Sequence, residues 1–219
     1  GDYVSEYNFA QAIEDGSTVP LFYSRRVPEV GLTNDWLDTD IDQICEDENL
    51  NDREKELLEN SSSRIMEVIK RDERLDRIAR DIAHHFPRRG FLGKGMVVSV
   101  DKYTAVRMYD KVKHYLPEEK KKLVEERNHA KTEEERAEKC RQLEFLSNMD
   151  MAVVISKEDG EEEKFAVQGL DIVPHRKKME AISPDGKDIE DRFKDKDDPL
   201  SLVFVCAMWL TGFDVPSLS

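Results

Sequence analysis

The chain has 219 residues, of which 38% are hydrophobic and 37% charged, and a formal net charge of −14. That length suits one domain with elaborations, or one and a half, and the acidity argues against chain-wide attraction to DNA while leaving room for a local basic face. The three cysteines (Cys45, Cys140 and Cys206) lack metal-ligand spacing and fit a reduced, cytoplasmic setting; no run nears the roughly 18 apolar residues of a membrane span, and no basic-then-apolar signal leads the chain.

Residues 9–16 read as a short helix stopped by Gly16. Residues 19–26 are β-rich, with Pro20 near their start, and read as an edge strand. Residues 34–60 are acidic, with Trp36, Leu37, Ile41, Ile44, Leu50, Leu57 and Leu58 at loose helical spacings, and predict two short helices. Their aspartates lack the glycine and ligand order of a calcium loop, so a solvated acidic face is expected. The clearest helix spans residues 61–86, where Ile65, Val68, Ile69, Leu75, Ile78, Ala79, Ile82 and Phe86 recur at three- and four-residue steps. Ser62 or Ser63 would cap it, while His84 and His85 suit its carboxyl-end dipole rather than a metal. Arg88, Arg89 and Lys94 follow among Gly90, Gly93 and Gly95 as a basic, flexible connector.

Met96-Val97-Val98-Ser99-Val100 predicts a strand, and residues 105–115 the helix behind it, packed through Val106, Tyr109 and Val112. Between them lie Asp101-Lys102-Tyr103-Thr104. The backbone amides and Thr104 at such a helix start suit a phosphate, and Asp101 suits a cap. Residues 117–147 mix charges at helical spacing, which predicts a pair of exposed helices, with a coiled-coil arm as the alternative although no heptad persists for three or four repeats. Met151 to Val154 continue into Ile155 and Ser156 as another apolar strand. Residues 158–164 read as an acidic loop, 182–187 as a turn around Pro184-Asp185-Gly186, and 188–194 as a short helix.

Val203-Phe204-Val205-Cys206 is apolar without alternation, so both faces of such a strand would be buried, as in a parallel sheet covered by helices. Beyond it, Gly212 permits a tight turn or a close approach to a ligand. Asp214 stands where open α/β sheets bind ligands: it either accepts a hydrogen bond from a sugar hydroxyl or caps its loop. Strands alternating with helices give an α/β fold with a parallel sheet. The sequence contains no phosphate-binding loop of the GxxxxGK[ST] type, no nuclease cluster, no HExxH helix and no nucleophile elbow. These residues alone therefore offer no cradle for a triphosphate and its Mg²⁺.

The stretch Cys206-Ala-Met-Trp-Leu-Thr-Gly-Phe-Asp-Val-Pro216 resembles motif V of superfamily 2 helicases and translocases. More narrowly, Met208 to Asp214 resembles the form found in the R (motor and nuclease) subunit of type I restriction enzymes. Ala12-Ile-Glu-Asp-Gly-Ser-Thr-Val-Pro20 is similar to the phrase with which such chains leave the first motor domain and enter the second. Asp101-Lys102 stands where motif IV usually has Ser-Arg, and Arg192-Phe-Lys-Asp195 with Asp198-Pro-Leu200 again resembles the restriction subunit. Together these phrases thread most of the chain from Phe9 to Ser219.

The resemblance implies a RecA-like domain of the P-loop NTPase type, incomplete at its C-terminus and with added helices. Residues 1–30 would be an entry segment and edge strand, 31–95 a helical elaboration and long helix, and 96–219 the second RecA-like domain, with a charged helical insertion at about 117–147. It implies that Gly212 and Asp214 meet a nucleotide, and that Lys102, Thr104, Ser156 and Cys206 touch the DNA backbone; no catalytic or metal-binding residue is implied. Lys102 keeps the charge of the family's arginine without its bidentate fork. Cys206 would serve through its main-chain amide, since a thiol is a weak donor, and Ala207 replaces an acid usual in the family. The parent protein would be an ATP-dependent translocase of double-stranded DNA and an endonuclease of a restriction-modification system. Its cofactors would be ATP and Mg²⁺, with none held tightly by this segment alone, which would be inactive. The implied partners are double-stranded DNA, the first RecA-like domain, and the modification and specificity subunits, with no membrane. Two other readings stay open: the second domain of another superfamily 2 helicase or remodeller, and a non-enzymatic α/β interaction module. Without a closing strand and helix, the strand at 203–206 is expected to lack a neighbour and to invite association.

Overall fold

The computed structural model describes residues 69–209 together with Gln11, Glu14, Asp15, Met66, Phe213 and Val215. The chain divides into two compact units, Gly1–Gly31 and Leu32–Ser219. In the first, the described feature is a helical turn closed by the Asp15 amide on the Gln11 carbonyl at 2.9 Å. The expected edge strand at 19–26 and the acidic helices at 34–60 lie outside the described residues.

The second unit is mixed α/β, built on a small, wholly parallel sheet. Its strands are β1 (Gly95–Val98), β2 (Asp150–Val154) and β3 (Leu200–Val205), in the order β1-β3-β2. The strand at 203–206 is thus not an unpaired edge: as part of β3 it lies between two neighbours. Val203 pairs with Met96 on one side and Ala152 on the other, and Val205 pairs with Val98 and Val154. Every residue of β3 is buried, as an apolar run without alternation requires. One face packs Leu202, Phe204, Met151 and Val153 under helix α1 (Asp72–His85) and helix α2 (Lys102–His129). The other packs Val203, Val205, Ala152 and Val154 against Phe193 and Val215. Gly95 lets the Phe86 ring lie directly on β1, since a Cβ there would collide with that ring and come within 3.1 Å of Leu202.

Several expected elements are differently bounded, each for a local reason. The helix predicted over 61–86 is not continuous: Ile69 is helical, but Arg71 has extended backbone (ψ 131°) and α1 starts afresh at Asp72. Asp72 and Glu73 then occupy the first turn, where carboxylates favour the positive end of the helix dipole. The helix behind β1 does not stop near Tyr115 but runs through Pro117 to His129. An interior proline costs about 3 kcal/mol; contacts further along the helix offset it, with Leu123 fully buried and Glu119 tied to the end of α1. Helix α3 (Glu133–Asn148) begins with a complete capping box between Thr132 and Glu135. The charged pair of helices is not simply exposed, because Leu123, Leu143 and Leu146 form a small core of their own.

The supposed flexible connector is pinned. Phe86–Arg88 forms a 3₁₀ turn, Arg88 bonds Glu119 at 2.9 Å and Glu126 at 2.8 Å, and Lys94 is buried with its ammonium on the Asp198 and Leu200 carbonyls. Residues 158–164 are not all loop: helix α4 (Glu161–Val167) follows the left-handed Gly160 and carries three glutamates in its first turn. Helix α5 (Val173–Glu180) comes next, and helix α6 (Ile189–Lys194) forms as expected, with Asp188 accepting from the Asp191 amide. Among the described residues no helix is long and apolar enough to cross a membrane.

Candidate functional site

The last register pairs of the three strands, Val98 with Val205 and Val154 with Val205, bring their carboxyl ends to one level. The chain leaves the sheet there at Ser99, Ile155 and Cys206. This is the edge at which parallel α/β sheets receive ligands, and the predicted backbone contacts Lys102, Thr104, Ser156 and Cys206 all follow it within a few residues.

Helix α2 starts at this edge because Asp101 caps it: the carboxylate accepts from the Thr104 amide at 2.6 Å and from the Lys70 ammonium at 2.5 Å. Burial alone would push the Asp101 carboxyl up, but the bonds from Lys70 and Thr104 hold it below its usual range. Lys70 stands just before the break that precedes α1. Thr104 is buried, and its hydroxyl has no hydrogen-bond partner among the described residues; the same holds for the hydroxyl of Ser99. Lys102, the first residue of α2, bonds Glu158 Oε2 at 3.0 Å, while Glu158 Oε1 accepts from Lys164 at 3.2 Å. These two lysines lower the Glu158 carboxyl below its usual range.

Ser156 is exposed, one residue past the buried Ile155. Ile155 is anchored by Arg176, whose guanidinium donates to the Ile155 carbonyl at 3.1 Å and grips Glu161 through bonds of 2.8 and 2.7 Å. Cys206 is half-buried, and burial, followed by the nearby Asp101 carboxylate, pushes its thiol up, so it stays protonated at neutral pH. That leaves the main chain as its useful donor.

Past Cys206 the backbone turns sharply. Ala207 and Trp209 hold positive φ values of 56° and 61°, a left-handed conformation that costs non-glycine residues of order 1–3 kcal/mol each. Stacking opposes that strain: Trp209 lies parallel to Phe213 at 4.5 Å and to the buried Phe193 of α6 at 5.7 Å, and Lys194 sits 5.1 Å from the Phe213 ring centre. Gly212 and Asp214 themselves lie outside the described residues. Among the described residues no group of three His, Cys, Asp or Glu side chains could hold a metal ion.

Sequence reasoning missed Glu158 and Lys70 as members of this edge. Glu158 follows Ser156 by two positions, a signal that strand-end spacing does carry; Lys70 is placed only by the unforeseen helix break. A cleft of about 370 Å³ opens at the opposite, amino end of the sheet, and its lining includes Leu92, Lys94, Phe145, Met149 and Pro199. None of the predicted site residues lines it. The chemistry argued from the parallel strands belongs to the carboxyl edge, and this cleft does not move it.

Residues 1–56 match the SWI2/SNF2 ATPase family. Over its whole length the chain is 29% identical to a protein of Methanocaldococcus jannaschii provisionally named type I restriction enzyme MjaIXP endonuclease subunit. Over 99% of its length it is 28% identical to the type I restriction enzyme HindI endonuclease subunit of Haemophilus influenzae. The resemblance drawn from motif wording thus holds across the chain. In both cases the chain spans 17% of the relative's length. No solved structure matches.

Proposed function

We propose that these residues form part of an ATP-driven, double-stranded DNA translocating motor in a type I restriction endonuclease. Their contribution would be the sheet of the second RecA-like domain, residues 96–219. The observation that carries this reading is the convergence of Lys102, Thr104, Ser156 and Cys206 on one carboxyl edge of a parallel sheet, in a chain similar over its whole length to type I restriction endonuclease subunits. In this reading the main-chain amide at Cys206, the hydroxyl of Ser156 and the start of α2 line a track for one phosphate backbone. Gly212 and Asp214 would face a nucleotide held chiefly by the first motor domain.

In this reading the hydrolytic machinery and the nuclease would come from other parts of the polypeptide. Modification and specificity subunits would be its partners. A second reading has its own support, because the SWI2/SNF2 ATPase match at residues 1–56 also suits a remodeller or another superfamily 2 motor.

The test uses the full-length polypeptide carrying these residues, with and without modification and specificity subunits. The restriction reading expects DNA-stimulated ATP hydrolysis, strand displacement along double-stranded DNA, and cleavage that needs the assembled complex. ATP-driven translocation without any association with those subunits would favour the remodeller reading. Absence of both DNA binding and ATP use would leave only an interaction module.

A further inference from the structure

We propose that Glu158 sets how tightly the carboxyl edge of the sheet holds DNA, by competing with backbone phosphate for Lys102. The proposal rests on the reading of this edge as a DNA-backbone contact. Lys102 opens α2, and its side chain, 23% exposed, is already engaged by Glu158 Oε2 at 3.0 Å. A phosphate arriving at the helix start must therefore take Lys102 from a carboxylate that offers the same charge sign and similar acceptor oxygens.

That carboxylate is held in place rather than loosely tethered. The Glu158 amide donates to Glu161 Oε2 at 3.4 Å, Glu161 is 7% exposed, and Arg176 grips the same Glu161 carboxylate while also bonding the Ile155 carbonyl. The turn from β2 into α4 is thereby tied to the sheet. Letting Lys102 go is nevertheless inexpensive, because the other oxygen of Glu158 keeps the Lys164 ammonium at 3.2 Å and no carboxylate is orphaned. A half-exposed ion pair is weak, whereas contact with DNA gains from counterion release. Phosphate therefore wins the exchange, and Glu158 acts as a threshold and not a block. Asp101 does not share this role: its oxygens are committed to the Thr104 amide and to Lys70.

The experiment measures binding of a fluorescein-labelled DNA duplex to the full-length polypeptide at fixed low salt. It compares wild type, Glu158→Gln, Lys102→Gln and the double variant, with Glu134→Gln, an exposed site on α3, as an equal change of charge elsewhere. Thermal melting confirms that each variant is folded. Glu158→Gln is expected to tighten binding about two- to fivefold, the range spanned by a half-exposed pair. Glu134→Gln should not change it, and Glu158→Gln should lose its effect in the Lys102→Gln background. Equal tightening in that background would reduce Glu158 to a long-range charge and overturn the competition. Unchanged affinity in Glu158→Gln, with DNA binding intact, would overturn it too while leaving the DNA contact standing. No DNA binding by any of the proteins would instead overturn the reading of the edge itself.

Discussion

Glu119 offers the sharpest test of how the helical layer is held. Its carboxylate is 2% exposed on the mid-section of α2 and gathers Arg88 at 2.9 Å, His84 at 2.9 Å and Lys122 at 2.8 Å. These contacts fasten the end of α1 and the 3₁₀ turn to α2 just beyond Pro117. Breaking a buried ion pair by removing one partner costs about 3–5 kcal/mol when the other charge is stranded. Here Arg88 would keep Glu126 at 2.8 Å and the His84 carbonyl at 2.6 Å, and Lys122 is half-exposed. Glu119→Gln should therefore cost less, about 2–3 kcal/mol, near the value of hydrogen bonds to a charged group. Urea unfolding at neutral pH measures it, with the slope against denaturant unchanged. Burial pushes the carboxyl up, but Lys122, His84 and Arg88 outweigh it and hold the pKa at about 2, against about 4.5 when unfolded. Between those values the unfolded state binds a proton that the folded state does not, so acid erodes the contribution. The gap between wild type and Glu119→Gln should thus be full above about pH 4.5 and close as pH falls toward about 2. A gap under about 0.5 kcal/mol at neutral pH, the scale of an ordinary surface change, or one indifferent to acid, would refute the reasoning.

Other substitutions probe the sheet and its edge. Gly95→Ala places a methyl group into the Phe86 ring and should cost about 1–3 kcal/mol by overpacking, with Phe86→Leu in the same chain recovering part of the loss in a urea titration. Asp101→Ala removes the cap of α2 and the partner of Lys70, for about 1 kcal/mol. Because that carboxyl is held below its usual range, the difference should be complete above about pH 3.9, its unfolded value, and shrink at lower pH in matched thermal melts. The 219-residue chain by itself should hydrolyse no ATP above buffer, with or without DNA; DNA-stimulated turnover in a phosphate-release assay would contradict the assignment to the second motor domain.

The sheet was legible because its strands announce themselves: Met96 to Val98, Met151 to Val154 and Val203 to Val205 are uninterrupted apolar runs, and a run without alternation has to be covered on both faces. Strand order was not legible. Nothing in the wording of β3 says that it threads between β1 and β2, because pairing is decided by which hydrophobic faces α1, α2 and α6 can cover together. Helix ends failed where tertiary contacts override local preference. Pro117 is tolerated because Glu119 and Leu123 beyond it are bound into other helices, and Arg71 interrupts a periodic pattern where Lys70 turns to Asp101. At the edge, Thr104 is legible from the helix start it occupies, while Lys102, Ser156 and Cys206 come only from the resemblance to motor motifs. Glu158 could not be weighed without its distance to Lys102, since a glutamate in an acidic stretch is usually solvated.

The net charge of −14 bears less on DNA contact than it first suggests. Residues 1–68 hold 17 Asp and Glu against 5 Lys and Arg, and the remaining 151 residues hold 31 against 29. The sheet-bearing part is therefore near neutral, and the lysines of its carboxyl edge are all paired, with one positive charge in excess: Lys70 is matched by Asp101, Lys102 and Lys164 share Glu158, and Lys157 is matched by Glu180 at 2.9 Å. A surface so paired projects little field beyond a Debye length of about 8 Å at physiological salt, so it would neither steer DNA from afar nor repel it. Under the proposed competition, affinity at this edge would come from exchange of partners on contact, with Lys102 trading the Glu158 carboxylate for a phosphate. Such binding would suit the proposed motor, which must release one phosphate before taking the next: Glu158 would be a ready partner for Lys102 at every step and would keep that contact from becoming a trap.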